Sequence, residues 1–258
     1  MSTRSPILAA RGLRKTFGGF TAVDVESFEV PRGEVTALIG PNGAGKTTLF
    51  DLVSGFVSGD TGTIEFDGRA VQALPAHKRA RLGLVRTFQL TRLFNDLDAV
   101  DNLLVGTLPA GRIGLAASTL RPFRSRRDLV ADRERALAEL ERVGLTPVAH
   151  IPVGKLSGGQ RKLVEFARAL MAEPTALLLD EPFAGVNPSI REDMMRYVNA
   201  FVADGGTVLL VEHDLPRVMQ IAQRVVVLDR GAVISTGTPA EVTADQRVID
   251  AYIGKRRA

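Results

Sequence analysis

The sequence predicts an α/β protein with a mostly parallel sheet and a helical insertion, and three observations predict it. A complete G-x-x-x-x-G-K-S/T loop, Gly40-Pro41-Asn42-Gly43-Ala44-Gly45-Lys46-Thr47, lies between a short apolar run and a helical segment. The last third alternates apolar runs with segments of helical character. Between them, from about Leu90 to Gly159, that alternation gives way to helical spacing.

Each element follows from local pattern. Phe20 to Val30 and Thr63 to Asp67 alternate apolar and polar residues and run into turns at Pro31-Arg32-Gly33 and Asp67-Gly68, so both read as strands. Val35 to Ile39 is a buried-strand run leading into the glycine-rich loop, and Thr47 to Val53 is a helix leaving it. In the middle, Asp128 to Val143 sets Leu129, Ala136, Leu137, Leu140 and Val143 at helical spacing, and Gly144 with Pro147 ends the helix. Arg161 to Leu170 gathers Leu163, Phe166, Ala167 and Leu170 on one helical face. Ala176 to Leu179, Thr207 to Val211 and Val225 to Leu228 are strands, separated by helices at Pro188 to Val202 and Leu215 to Ala222. No internal repeat or long linker interrupts the chain, so these segments are expected to fold as parts of one unit.

With 258 residues the chain can bury a sizeable core without cross-links, and with no cysteine it can form no disulfide. The start at Met1 runs into an apolar stretch, Ile7 to Ala10, too short for a signal-peptide core, and no run approaches the ~20 apolar residues of a membrane span. A soluble chain is expected. Its net charge of +4 is modest, and the basic clusters Arg121 to Arg127 and Lys255-Arg256-Arg257 lack the interleaved aromatics of a nucleic-acid surface. They read as solvated surface, with no direct nucleic-acid contact.

The loop implies a nucleoside triphosphate. Its glycines let backbone amides approach phosphates, Lys46 brings a point charge to the outer phosphates, and the Thr47 hydroxyl can ligate Mg2+. Thr48 continues into the helix, whose dipole favours the same anion. Further on, the apolar run Ala176 to Leu179 ends in Asp180-Glu181. Asp180 can hold Mg2+ through water and Glu181 can orient or deprotonate an attacking water; alternation at a strand end is expected to turn the two carboxylates to opposite sides. Ser157 and Gln160 satisfy a helix capping box, but Gly158 and Gly159 in a first helical turn each cost roughly 1 kcal/mol relative to alanine. Close approach of an anion would explain both glycines.

In chain order, Gly40 to Thr48, Gln89, Leu156-Ser157-Gly158-Gly159-Gln160, Asp180-Glu181 and His213 closely resemble the motifs of the ATP-binding cassette (ABC) ATPases, over essentially the whole chain. The resemblance implies a P-loop NTPase (RecA-like) core with an antiparallel β subdomain and an inserted α-helical subdomain. Residues 1–258 would form one ATPase domain, with 1–89 and 160–258 as the ATP-binding core and about 90–159 as the helical subdomain. It also implies that the Leu156 to Gln160 signature meets the ATP held by the loop of a second subunit, so that two ATP molecules lie in a head-to-tail pair. Gln89 would serve the metal and the attacking water, His213 would contact the γ-phosphate, and Phe17 would stack on adenine, with Phe20 a nearby competitor for that role. Where the family usually carries Ser-Ala-Leu-Asp after the paired carboxylates, this chain has Ala184-Gly185-Val186-Asn187.

A narrower resemblance rests on Arg86-Thr87-Phe88-Gln89, Ala184 to Pro188, Glu212-His213-Asp214 and the ending Ala251-Tyr252-Ile253-Gly254. These are similar to the ATP-binding subunits of importers for branched-chain amino acids and related urea or amide solutes. The implied partners are membrane-spanning permease subunits, a second ATPase subunit of the same or a homologous chain, and a solute-binding protein. The implied place is the cytoplasmic face of the membrane, with docking near Gln89, Leu90, Leu93 and Phe94. Two other classes stand beside this reading: a soluble ABC ATPase acting on nucleic acid or ribosomes, and a regulatory module that holds ATP without turnover. Against the first, Lys46 and Ser157 are only about 110 residues apart, without the sustained heptads of a long coiled coil. Against the second, Glu181 and His213 are both present.

Overall fold

The computed structural model describes residues 5–87, 93–106 and 126–253. Their elements run β1 (Leu8–Phe17), β2 (Phe20–Val30), β3 (Val35–Ile39), α1 (Lys46–Ser54), β4 (Thr61–Phe66), β5 (Arg69–Ala70), α2 (Ala76–Arg81), β6 (Leu84–Arg86), α3 (Ala99–Gly106), α4 (Arg126–Arg142), α5 (Gly158–Leu170), β7 (Ala176–Asp180), α6 (Pro188–Ala203), β8 (Thr207–Val211), α7 (Leu215–Ile221), β9 (Arg224–Asp229), β10 (Ala232–Gly237), α8 (Pro239–Ala244) and α9 (Gln246–Ile253). The chain divides into two compact units. One comprises Met1–Arg86, Thr175–Pro182 and Val198–Ala258, and the other Thr87–Pro174 and Phe183–Tyr197.

The first unit holds both sheets. Six strands in the order β10-β9-β3-β8-β7-β6 form the larger sheet, parallel from β9 to β6, with β10 antiparallel at one edge. All five residues of β3 and of β8 are buried, as a parallel sheet covered on both faces requires. The second sheet, β2-β1-β4-β5, is antiparallel. A single apolar cluster links them: Leu8, Leu13, Val25 and Phe66 from the antiparallel sheet pack with Leu38, Leu178, Leu209 and Val226 from the parallel one and with Leu49, Phe50 and Val53 of α1. The carboxyl end of α1 is fastened by Arg79, which is 1% exposed. Arg79 donates to the main-chain oxygens of Leu52 (2.7 Å), Val53 (2.6 Å), Leu74 (2.8 Å) and Gln72 (3.2 Å). A cation here satisfies carbonyls that a helix end leaves unpaired, and burial pulls the Arg79 pKa down to about 10.

In the second unit, α3, α4 and α5 bury Leu103, Ala136, Leu140, Leu163, Phe166 and Ala167. Asn102, fully buried, accepts from the Phe94 amide (2.9 Å) and donates to the carbonyls of Phe94, Leu97 and Asp98, fixing the turn that enters α3.

The helices and strands read from periodicity are present within a few residues of their expected ends, but β1, β5, β6, β10, α2, α3, α8 and α9 were not read from pattern. β1 shows why: its pairing with β4 shifts register between Arg11 and Arg14, with Gly12 at φ +57, so its two-residue period is broken. β10 likewise carries a register shift, between Val233 and Ser235, and its side chains are mostly half-buried.

Candidate functional site

The site begins where β3 ends. Gly40, Gly43 and Gly45 all have positive φ, but for two different reasons. A Cβ on Gly40 would lie 2.1 Å from the Leu228 carbonyl oxygen, and one on Gly45 would lie 2.3 Å from that of Ala22. These two glycines let the loop pass against β9 and β2. A Cβ on Gly43 would meet nothing within 4 Å. Gly43 therefore faces open space and its neighbour Asn42 is exposed, between buried Pro41 and Ala44. Helix α1 then starts from Gly45 with no side-chain cap and no acidic residue in its first turn, so its leading amides are available to an anion. Lys46 Nζ donates to the Gly40 (2.7 Å) and Pro41 (3.0 Å) carbonyls, lying across the loop, while Thr47 is exposed and Thr48 half-buried.

Strand order delivers the remaining groups. β8 pairs with β3 on one side and β7 on the other, all parallel, with Val211 in register with both Leu38 and Asp180. The loop, His213 and Asp180-Glu181 therefore leave the same edge of the sheet, as ligand groups do in open α/β folds. Asp180 is nearly buried, and its carboxylate accepts from Arg86 Nη2 at 3.0 Å. Burial raises the Asp180 pKa, Arg86 opposes that shift, and the neighbouring Glu181 and Asp51 carboxylates reinforce it.

Glu181 departs from simple strand alternation. It has left-handed backbone (φ +45) and donates its amide to the Val211 carbonyl at 3.1 Å. That turn, rather than the strand pleat, separates it from Asp180 and brings its Oε1 3.7 Å from His213 Nδ1. Non-glycine residues adopt this conformation only when the surroundings hold them there. His213 is itself held by the fully buried Glu212, whose Oε2 accepts from the His213 (3.0 Å) and Asp214 (3.3 Å) amides.

Phe17 and Phe20 face each other across the Gly18-Gly19 turn of the β1–β2 hairpin. They are 49% and 67% exposed, so neither belongs to the core, and the Phe17 ring carries the Lys15 ammonium 5.4 Å from its centroid. Gln89 and Leu90 lie outside the described residues. Leu93 is half-buried, and Phe94 is 51% exposed on the turn that Asn102 fixes.

The signature segment belongs to the second unit. Ser157 caps α5: its Oγ accepts from the Gln160 amide (3.2 Å), and the Ser157 amide donates to Gln160 Oε1 (2.9 Å). Gly158 and Gly159 separate here. A Cβ on Gly158 would meet nothing, whereas one on Gly159 would fall 2.9 Å from Ile190 Cγ1, so packing alone accounts for Gly159 and only Gly158 opens a path to an approaching anion. Ile190 is placed by Asn187, whose Oδ1 accepts from its amide at 2.9 Å at the start of α6. Asparagine caps a helix about as well as aspartate, so the local role of this position survives the loss of charge.

The described residues contain no cluster of three or more His, Cys, Asp or Glu able to hold a metal, and no helix long and apolar enough to cross a membrane. The donors present nonetheless fit Mg2+ with a nucleotide. One hydroxyl, Thr47, and one carboxylate, Asp180, are hard oxygen ligands of the kind that leave the remaining positions to phosphate and water. The open face at Gly43 gives the phosphates a cradle that a side chain would fill. The structure gives Arg86, Asp51 and Glu212 contacts at the site that the sequence did not assign: Arg86 and Glu212 entered only through the narrower resemblance, with no role, and Asp51 not at all.

Residues 23–184 match the family described as ABC transporter, and residues 232–258 match that described as branched-chain amino acid ATP-binding cassette transporter. The chain is 41% identical to the high-affinity branched-chain amino acid transport ATP-binding protein BraF of Pseudomonas aeruginosa, covering 97% of this chain and 98% of that protein. It is 37% identical to the corresponding protein LivG of Escherichia coli K12, with the same coverage. Among solved structures it superposes with TM-score 0.85 on the ADP conformation of an ATP-binding cassette of an ABC transporter, 34% identical, covering 97% of this chain and all of that one.

Proposed function

The chain belongs to the ABC transporter family of ATP-binding proteins, and on that premise we propose that it energises an importer for branched-chain amino acids or related small amides. It is an ATPase with a P-loop, RecA-like core. The observation that carries the reading is the common edge at which β3, β8 and β7 end, because it brings a phosphate cradle, a histidine and two carboxylates to one place. The substrate class draws its support from the names of the relatives and from the match over residues 232–258.

In this reading the Gly40 to Thr48 amides and Lys46 bind the phosphates, and Thr47, Asp180 and Gln89 are the residues to hold Mg2+. The metal, when bound, neutralises phosphate charge. Glu181 receives the proton of the attacking water, held in place by its left-handed turn, and His213 contacts the γ-phosphate. Phe17 stacks on adenine. The chain works as one ATPase domain whose signature, Ser157 to Gln160, serves the nucleotide of a second ATPase subunit, so neither subunit is complete alone. Permease subunits dock through the segment containing Gln89, Leu90, Leu93 and Phe94 at the cytoplasmic face of the membrane, and a solute-binding protein delivers the cargo.

The test is reconstitution. Co-expressed with the permease and binding protein of its own gene cluster and placed in vesicles, the chain is expected to hydrolyse ATP faster when leucine or isoleucine is supplied with the binding protein. Hydrolysis indifferent to every branched-chain amino acid and small amide in a competent assembly would overturn the substrate assignment. Copurification with nucleic acid in place of membrane partners would overturn the importer.

A further inference from the structure

Arg86 is the last residue of β6, and its side chain is only 9% exposed. It does not form one ion pair but divides its fork between two elements. Nη1 donates to Asp51 Oδ1 and, at 2.9 Å, to Ser54 Oγ, both on α1. Nη2 donates to Asp180 Oδ2 at 3.0 Å, on β7. The guanidinium also stacks over two aromatic rings, 4.7 Å from the centroid of Phe50 and 5.3 Å from that of Phe56. These contacts join the helix that opens with Lys46 and Thr47 to the strand that ends in Asp180. Those are the elements bearing the two described oxygen donors assigned to Mg2+.

We propose that Arg86 is a positioning residue for the metal site: by holding Asp180 Oδ2 from one side while anchored to α1, it turns Oδ1 outward and fixes the strand end relative to the helix carrying Thr47. The inference rests on the reading of Asp180 as a metal-holding carboxylate. A rigid, planar fork suits this task because its two arms point to defined, separate acceptors, whereas a lysine would bring one point charge and release one of the three groups. Stability alone gives a weaker account. A buried cation replaced by packed apolar groups often costs nothing, and a single carboxylate would already neutralise it.

The test measures the affinity of the full chain for a fluorescent ATP analogue, N-methylanthraniloyl-ATP, with excess EDTA and across a Mg2+ titration, so that metal-free and metal-dependent binding are read separately. In Arg86→Gln the Mg2+ concentration giving half-maximal tightening is expected to rise about tenfold, the scale of one lost charge-assisted hydrogen bond, while metal-free affinity stays within roughly twofold. Arg86→Lys should fall between. A purely structural role would weaken both conditions alike and leave the Mg2+ response unchanged, which overturns the proposal. Asp180→Asn separates this from the underlying reading: if it keeps the wild-type Mg2+ response, Asp180 is not the metal's carboxylate and both ideas fail. Should Arg86→Gln not fold, the double variant Asp51→Ala/Ser54→Ala removes both α1 side-chain acceptors while leaving the Arg86–Asp180 contact, and a wild-type Mg2+ response there overturns the proposal equally.

Discussion

Alanine substitutions at Gly43 and Gly45, two residues apart in one loop, should behave as opposites. At Gly43 (φ +77) the new methyl meets no atom within 4 Å, so the cost is that of left-handed backbone alone, about 1–2 kcal/mol. At Gly45 (φ +100) the same strain is joined by a Cβ only 2.3 Å from the Ala22 carbonyl oxygen, when ordinary contact begins near 3.4 Å. Relieving it requires about 1 Å of movement of the β2 backbone at its irregularity, where Ala22 falls between the paired residues Thr21 and Val23, and overpacking of this kind adds roughly 1–3 kcal/mol. Gly45→Ala should therefore lose about 2–5 kcal/mol, or on the order of 5–15 °C in Tm for a chain of this size. Gly43→Ala should lose roughly 2–8 °C by the same conversion and yet bind ATP poorly, since its methyl stands on the open side of the loop assigned to phosphate. Differential scanning fluorimetry without nucleotide, followed by ATP titration, separates the two effects. Equal Tm losses, or a Gly43→Ala chain with wild-type affinity, would refute the division of the glycines into one that serves the fold and one that serves the ligand.

Lys46→Ala should weaken ATP binding by roughly 10- to 100-fold, the range for one charged contact to phosphate, and nearly abolish hydrolysis. Unchanged turnover would reject the site. Glu181→Gln should bind ATP, fail to hydrolyse it, and accumulate as an ATP-bound dimer in light scattering, alone or with its natural partner ATPase; near-normal hydrolysis would remove Glu181 as the base. Asp60 has its pKa lowered by hydrogen bonds from Lys15 Nζ (2.8 Å) and the Thr16 amide (2.7 Å), so its contribution to stability is present above the ordinary value of 3.8 and lost as pH falls through its lower folded value. Asp60→Asn should accordingly be less stable than wild type in neutral urea melts, with the gap closing in acid below pH 3.8, and a gap that persists there would argue against charge as its source.

Local chemistry made the phosphate loop legible: its spacing is set by the size of a triphosphate and the reach of one lysine, and a turn with this geometry carries its glycines wherever it is placed. The buried strands Val35–Ile39 and Thr207–Val211 were legible for a similar reason, since full burial on both sheet faces leaves a continuous apolar run. Period failed at β1, where a bulge at Gly12 shifts the alternation, and at the half-buried edge strand β10. Within the site, sequence alone set Asp180 beside Glu181 and named both, but the left-handed turn that aims Glu181 at His213 depends on the Val211 carbonyl from a neighbouring strand. The two signature glycines looked alike until Ile190, placed by the Asn187 cap, distinguished the one that packs from the one that stays open. Arg86 and Glu212 carried part of the narrower resemblance, but no contact could be assigned to either from the sequence. What sets them apart is burial in the folded chain: Glu212 is fully buried while its carboxylate accepts from the amides just after it, and Arg86 meets Asp51 and Asp180 only once β6 lies beside β7 and α1 packs near them.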